Sequence, residues 1–154
     1  MKARTSTRQR RHTQTRTRGA KVGTFTHRVE LAAKMEGPWR VLDALVDTGS
    51  IYSWVPGTLL EELGLTATDN VEFQMANGES EFRDAVEALI RIDGRVRHTI
   101  CIFGAEKDLV LLGAYALEGF GLAADPVNQR LVRVPTLPAA IANGQPNELE
   151  GGTP

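Results

Sequence analysis

Ala44-Leu45-Val46-Asp47-Thr48-Gly49-Ser50 is the stretch on which the reading of this chain turns. An apolar, strand-like run stops at an acid, and a glycine turn with a hydroxyl on either side follows. An acid held at the end of an apolar strand sits where burial and backbone amides govern its hold on a proton. Gly49 would allow close backbone approach beside it and turn dihedrals closed to other residues. Thr48 and Ser50 offer one hydroxyl to tie a pair of such loops together and another to bond a carboxylate.

Carboxylates cleave amides in pairs. One ionised group draws a proton from water while its protonated neighbour polarises the carbonyl. Two like charges about 3 Å apart cannot both ionise, so the pair shares one proton. The chain holds a single Asp-Thr-Gly. Asp43 lies three residues earlier within the strand, Asp93 sits in a hairpin turn, and Asp125 precedes a proline turn. None repeats the strand-then-glycine setting. A twofold axis places each residue opposite its own copy, so a symmetric homodimer is expected to supply the second carboxylate.

Outward from the motif the chain reads as short strands. Val22 to Lys34 roughly alternates polar and apolar residues, and Glu36-Gly37-Pro38 signals a turn before a second strand, Trp39 to Val46. Ile51 to Val55 resumes in β-prone residues. Thr58 to Leu63 reads as a short helix, with Pro56 in its first turn and Gly64 past its end. Val71 to Ala76 and Glu81 to Ile92 flank Asn77-Gly78, a hairpin signal; Asp93-Gly94 marks another before Val96 to Phe103. Leu109 to Leu112 reads as a buried strand ended by Gly113. Ala114 to Phe120 suits two helical turns, and a last hairpin joins Gly121–Asp125 to Arg130–Val134 around Pro126-Val127-Asn128. The expected class is mostly β, with one or two short helices.

The 154 residues suit one domain with loose ends. Residues 1–20 are expected to form a disordered basic tail, residues 21–135 the folded domain, and residues 136–154 a flexible Pro/Gly-rich C-terminal tail. Met1 to Lys21 carries eight basic residues and no acid. The remainder holds ten basic against nineteen acidic residues, a balance of −9. A basic arm of this kind can bind nucleic acid. Without interleaved aromatics, a solvated tail lying against its own acidic body is the preferred reading. No apolar run nears the ~18 residues of a membrane helix, and no apolar segment of secretory type follows Met1. A soluble, cytoplasmic protein without membrane contact is expected. The lone Cys101, in Thr-Ile-Cys-Ile-Phe, reads as a buried inert thiol. His12, His27 and His98 lack metal-ligand spacing, so neither metal nor cofactor is expected.

With these residues in view, the sequence resembles the retropepsin-like (clan AA) aspartic proteases, particularly the small bacterial and archaeal single-motif members. Leu45-Val46-Asp47-Thr48-Gly49-Ser50 matches their catalytic signature, and Leu111-Leu112-Gly113 their second glycine motif. Phe73-Gln74-Met75-Ala76-Asn77-Gly78-Glu79 lies where they carry a flap. The match runs over roughly residues 22–135. It implies a closed β-barrel lobe with a flap hairpin, Asp47 as the catalytic residue supported by Thr48, Gly49 and Ser50, and substrate contact through Met75, Ala76, Asn77 and Gly78. It also implies an aspartic endopeptidase acting as a homodimer on peptide or protein substrates. The chain departs from the family at Ala114, where an arginine or polar residue is common, and in both termini, which differ from the paired terminal strands of viral relatives. A dimeric interaction domain without turnover, tethered to nucleic acid by the basic arm, is the alternative.

Overall fold

A computed structural model of the chain describes residues 23–135; the expected N-terminal and C-terminal tails lie outside that range. Nine strands and two short helices follow one another in the order β1 (Thr26–Ala32), β2 (Arg40–Val46), β3 (Ser53–Pro56), α1 (Gly57–Glu62), β4 (Asp69–Gln74), β5 (Ser80–Ile92), β6 (Arg95–Gly104), β7 (Leu111–Leu112), α2 (Ala114–Gly119), β8 (Leu122–Asp125) and β9 (Arg130–Arg133). Among the described residues, no helix is long and apolar enough to cross a membrane.

Seven strands make one sheet in the order β1-β2-β7-β3-β6-β5-β4, and β1 also pairs with β5. That extra pairing closes β1, β2, β7, β3, β6 and β5 into a ring, the barrel expected from the sequence. The long strand β5 makes the closure possible. Its second half pairs with β6 along one edge, from Ala85 to Ile92, and with β1 along the other, at residues 89–91. Its first half pairs with β4 alone, Gln74 opposite Ser80. The β4–β5 hairpin therefore runs out of the ring as a two-stranded arm.

Val29, Leu31, Ala44, Val46, Val55, Ile90, Cys101 and Leu112 fill the ring. Period-two alternation puts these side chains inward, so β1 and β2 expose Arg28, Val41 and Asp43 outward. Burial pushes the Cys101 thiol up to about 12, which makes it inert as a nucleophile, as expected.

The turns follow their residues closely. Asp93 and Gly94 both take positive φ, 48° and 79°, the signature of the two-residue type I′ hairpin. At the end of α1 the Leu65 amide donates to Leu60 O and the Gly64 amide to Glu61 O, with Gly64 at φ 81°. This is a Schellman ending, sealed by contact-sized apolar residues Leu60 and Leu65 at its two ends, both buried. Pro56 proves to be the last residue of β3 and the helix N-cap, one step before the first turn where it was expected.

Candidate active site

Asp47 is half-buried and follows directly on the buried end of β2. Its own amide donates to Leu112 O at 3.1 Å, and its carbonyl accepts from the Ser50 amide at 3.2 Å. The carboxylate Oδ1 accepts the Gly49 amide at 3.0 Å.

The loop that carries Asp47 is interlocked with the second glycine motif. Strand β7 lies between β2, which it meets in parallel (Val46 opposite Leu112), and β3, which it meets antiparallel (Trp54 opposite Leu111). Just beyond β7, the Ala114 and Tyr115 amides donate to Ser50 O and Ile51 O at 2.8 and 2.9 Å. The Gly113 amide donates to Ser53 Oγ at 3.1 Å. The opening amides of α2, which have no partner within the helix, are thus satisfied by the loop after Asp47.

Two glycines have different reasons to be here. A Cβ at Gly113 would lie 2.4 Å from Tyr52 O and 2.9 Å from Ile51 O. Its backbone angles, φ −86° and ψ 171°, are open to any residue, so lack of space alone demands glycine. A Cβ at Gly49 would lie 3.2 Å from Asp47 Oδ1. The expectation of special dihedrals at Gly49 is corrected: its φ is not among the positive ones, and closeness to the carboxylate is what constrains it. The Ser50 hydroxyl also departs from expectation, donating to Tyr52 O at 2.8 Å within its own loop. Thr48 is exposed and lines a groove beside α2.

Leu111 is half-buried and Leu112 packs in the core, so the second motif positions the loop from behind. Met75, Ala76, Asn77 and Gly78 are exposed at the tip of the β4–β5 arm. The Gly78 amide donates to Met75 O, the Met75 amide donates to Glu79 O, and Gly78 has φ 86°. This is a three-residue hairpin loop, a turn followed by a left-handed glycine. Asn77 Oδ1 accepts the Glu79 amide and Nδ2 donates to Glu79 Oε2.

The structure brings residues 47–50 and 111–113 into one unit but leaves the tip residues 75–78 on a separate arm. The body of the arm is joined to the strand after the Asp47 loop by an aromatic pair, Trp54 and Phe73, with ring centres 5.2 Å apart. The Arg83 guanidinium, paired with Glu81, covers the same Trp54 ring. Sequence reasoning also passed over Ser53. Its place two residues before Val55 in a β-prone run was the available signal, because a serine on the inward face of a strand needs a partner, and it is indeed buried.

A family model described as aspartyl protease matches residues 31–116, more than half of the 154-residue chain. Among curated proteins, none matches. Similar solved structures include three with a TM-score of 0.45 each. The solution structure of simian foamy virus (mac) protease shares 17% identity over 60% of this chain and 91% of its own. A retropepsin-like aspartic protease from Rickettsia conorii shares 22% over 66% and 84%. EIAV protease complexed with the inhibitor HBY-793 shares 18% over 70% and 90%. The matched span takes in the Asp47 loop, the β4–β5 arm and the Leu111-Leu112-Gly113 motif that locks the loop in place, and on it the chain belongs to the aspartyl protease family, with a mostly-β fold whose sheet closes into a ring.

Proposed function

We propose that the protein is an aspartic endopeptidase whose active site is completed by two copies of the chain, each contributing Asp47. The observation that carries this reading is the setting of Asp47 among the aspartates of the described residues, at a strand end whose loop is clamped by Leu112, Ala114 and Tyr115. Asp43 pairs with Arg28, Asp69 and Asp84 both bond Asn70, Asp93 bonds His27, Asp108 accepts the Ala105 amide, and Asp125 holds Asn128. Asp47 is bonded by the Gly49 amide, which leaves Oδ2 free for chemistry, and its loop is the one tied by backbone to β7 and the start of α2.

In the pair, one Asp47 carboxylate is ionised and takes a proton from a water held between the two. The other, protonated, donates a hydrogen bond to the scissile carbonyl. The resulting hydroxide attacks the carbonyl carbon. The tetrahedral intermediate collapses as the amide nitrogen takes up a proton, and the C–N bond breaks. The Gly49 amide steadies the ionised partner, and the backbone clamp from Leu112, Ala114 and Tyr115 keeps both loops in register. Substrate would lie extended beneath the two β4–β5 arms, with Met75 to Gly78 closing over it through main-chain hydrogen bonds. One buried cysteine and no disulfide suit a reducing compartment, and we place the enzyme in the cytoplasm.

Asp47→Asn tests this directly. An asparagine keeps the acceptor for the Gly49 amide, so the fold should persist while cleavage of an unfolded protein at pH 4–6 falls on the order of 10³-fold or more. Unchanged cleavage by the variant would sink the reading.

A further inference from the structure

We infer that Trp54 fills the space beneath the β4–β5 arm and restricts the substrate to small side chains near the bond that is cut; the inference rests on the protease reading above and adds the substrate class. Strand register sets Leu45, Leu111, Trp54, Ile102 and Ala85 side by side across β2, β7, β3, β6 and β5. Their chain neighbours Val46, Leu112, Val55, Cys101 and Val86 belong to the core inside the ring. Alternation therefore turns all five outward, as one apolar row on the outer face of the ring.

The two ends of this row differ. Leu45 lies two residues before Asp47, and both it and Leu111 are half-buried. Ile102 and Ala85, at the far end, are 0% and 1% exposed although they point away from the core. The arm lies over that end. Phe73 and Arg83 stand on the face of the arm that Ala85 continues. The Phe73 ring centre is 5.2 Å from that of Trp54, and the Arg83 guanidinium carbon 5.9 Å from it. Arg83 Nε is shut off from water in this corner. Floor and cover thus converge on Trp54, and side chains of this chain already occupy the space between them.

A substrate cut between two Asp47 residues spans both copies and runs along the row of each. Neighbouring strands are about 4.8 Å apart, so Trp54, two strands away from β2, stands about 10 Å to the side of the strand that ends at Asp47. An extended peptide advances about 3.4 Å per residue, so the residue passing Trp54 is about two or three positions from the scissile bond. Turned towards the floor, its side chain meets an indole, a phenyl ring and a guanidinium. Glycine, alanine or serine fits there, whereas leucine or phenylalanine must displace the indole. The second copy imposes the same restriction on the other side of the bond.

Reduced, alkylated serum albumin digested by the full chain should be cut, as read by mass spectrometry, where small residues stand two or three positions from the bond on both sides. Peptides built on the best-cut sequence, with alanine or leucine at that position, then measure the preference. The kcat/KM ratio should favour alanine about 10-fold or more in the wild type and fall to about 2-fold or less in Trp54→Val. A general loss of activity would leave that ratio unmoved. An active wild type that uses both peptides equally, or a Trp54→Val variant with the wild-type ratio, overturns the role of Trp54 and leaves the protease standing. A wild type that cuts neither albumin nor any peptide overturns the protease reading and this inference with it. Should Trp54→Val fail to fold, Trp54→Phe, which keeps a ring against Phe73, takes its place: a ratio below that of the wild type is expected, and an equal one overturns the assignment.

Discussion

Gly113 and Gly78 stand for two ways of building the region around a candidate active site. At Gly113 the backbone angles are ordinary and there is no room, since a Cβ would press on the Tyr52 carbonyl at 2.4 Å. At Gly78 there is nothing within 4 Å of an added Cβ, and the angle is special, φ 86°. The first glycine belongs to a region fixed by packing and backbone hydrogen bonds drawn from residues far apart in sequence. The second belongs to an arm whose tip is organised only by its neighbours, residues 75–79. An acid that must hold its position to within a fraction of an ångström suits the first construction. The proposed role of the arm as a cover that opens for substrate suits the second, because segments with few long-range contacts open at low cost.

The contrast can be broken hardest at Gly113. Gly113→Ala forces either Tyr52 or β7 to move, and a clash with backbone in a tightly packed site costs about 3 kcal/mol. The expected result is a fall in melting temperature of roughly 10 °C or more, together with loss of cleavage, since the loop that moves is the one after Asp47. A variant as stable as the wild type would mean the interlock is slack. Ser53→Ala probes the same region more gently. It leaves the Gly113 amide buried without its acceptor, which costs about 1–3 kcal/mol. Denaturant unfolding should register that loss with an unchanged slope. Gly78→Ala addresses the arm. Left-handed backbone costs a non-glycine residue about 1 kcal/mol, here confined to an exposed tip. Global stability should barely change, whereas KM should rise as the closed arm becomes harder to reach. A drop in melting temperature as large as that of Gly113→Ala would erase the distinction.

Local signals explain which parts of the molecule were legible in the sequence. Asp93-Gly94 and Asn77-Gly78 announced their hairpins because positive φ restricts residue choice, and Gly64 announced the end of α1 for the same reason. The alternation in β1 and the apolar run before Asp47 announced buried strands. The interlock was only partly visible. Leu111-Leu112-Gly113 stood out through resemblance, yet nothing local says that β7 lies between β2 and β3, or that Gly113 faces the Tyr52 carbonyl. Those are consequences of topology, which joins residues about sixty positions apart. The same limit explains Gly49 and Ser50. Both were placed in the site, but the carbonyl that the Ser50 hydroxyl would choose, and the carboxylate oxygen that would crowd Gly49, depend on how the loop is folded. The Trp54–Phe73 pair was missed as a link between loop and arm because it crosses from β3 to β4, whose relation only the closed ring defines.

The smallest effect separates two turns that look alike. At the arm's tip the neutral Asn77 amide accepts the Glu79 N–H. At the tip of β8–β9 the acceptor is a carboxylate: Asp125 takes the Val127 and Asn128 amides at 3.1 Å each and the Asn128 side chain at 2.7 Å. The Asn128 side-chain bond, aided by its backbone amide, holds Asp125 below the usual carboxylate range. A carboxylate with a lowered folded-state value stabilises the turn at pH above its unfolded value, and that contribution disappears as pH falls through the lowered one. Acid should therefore loosen this hairpin and leave the Asn77 acceptor untouched. A titration followed by NMR should show the Val127 and Asn128 amides shifting with a midpoint below the ordinary aspartate value of about 3.9, and Asp125→Asn should abolish that response. A midpoint at or above the ordinary value would show that the turn is not held by the ionised acid. Because the lowered value lies beneath the pH 4–6 window of the cleavage assay, Asp125 stays ionised there. Acid loosening of this turn is therefore confined to pH below the window of the cleavage assay.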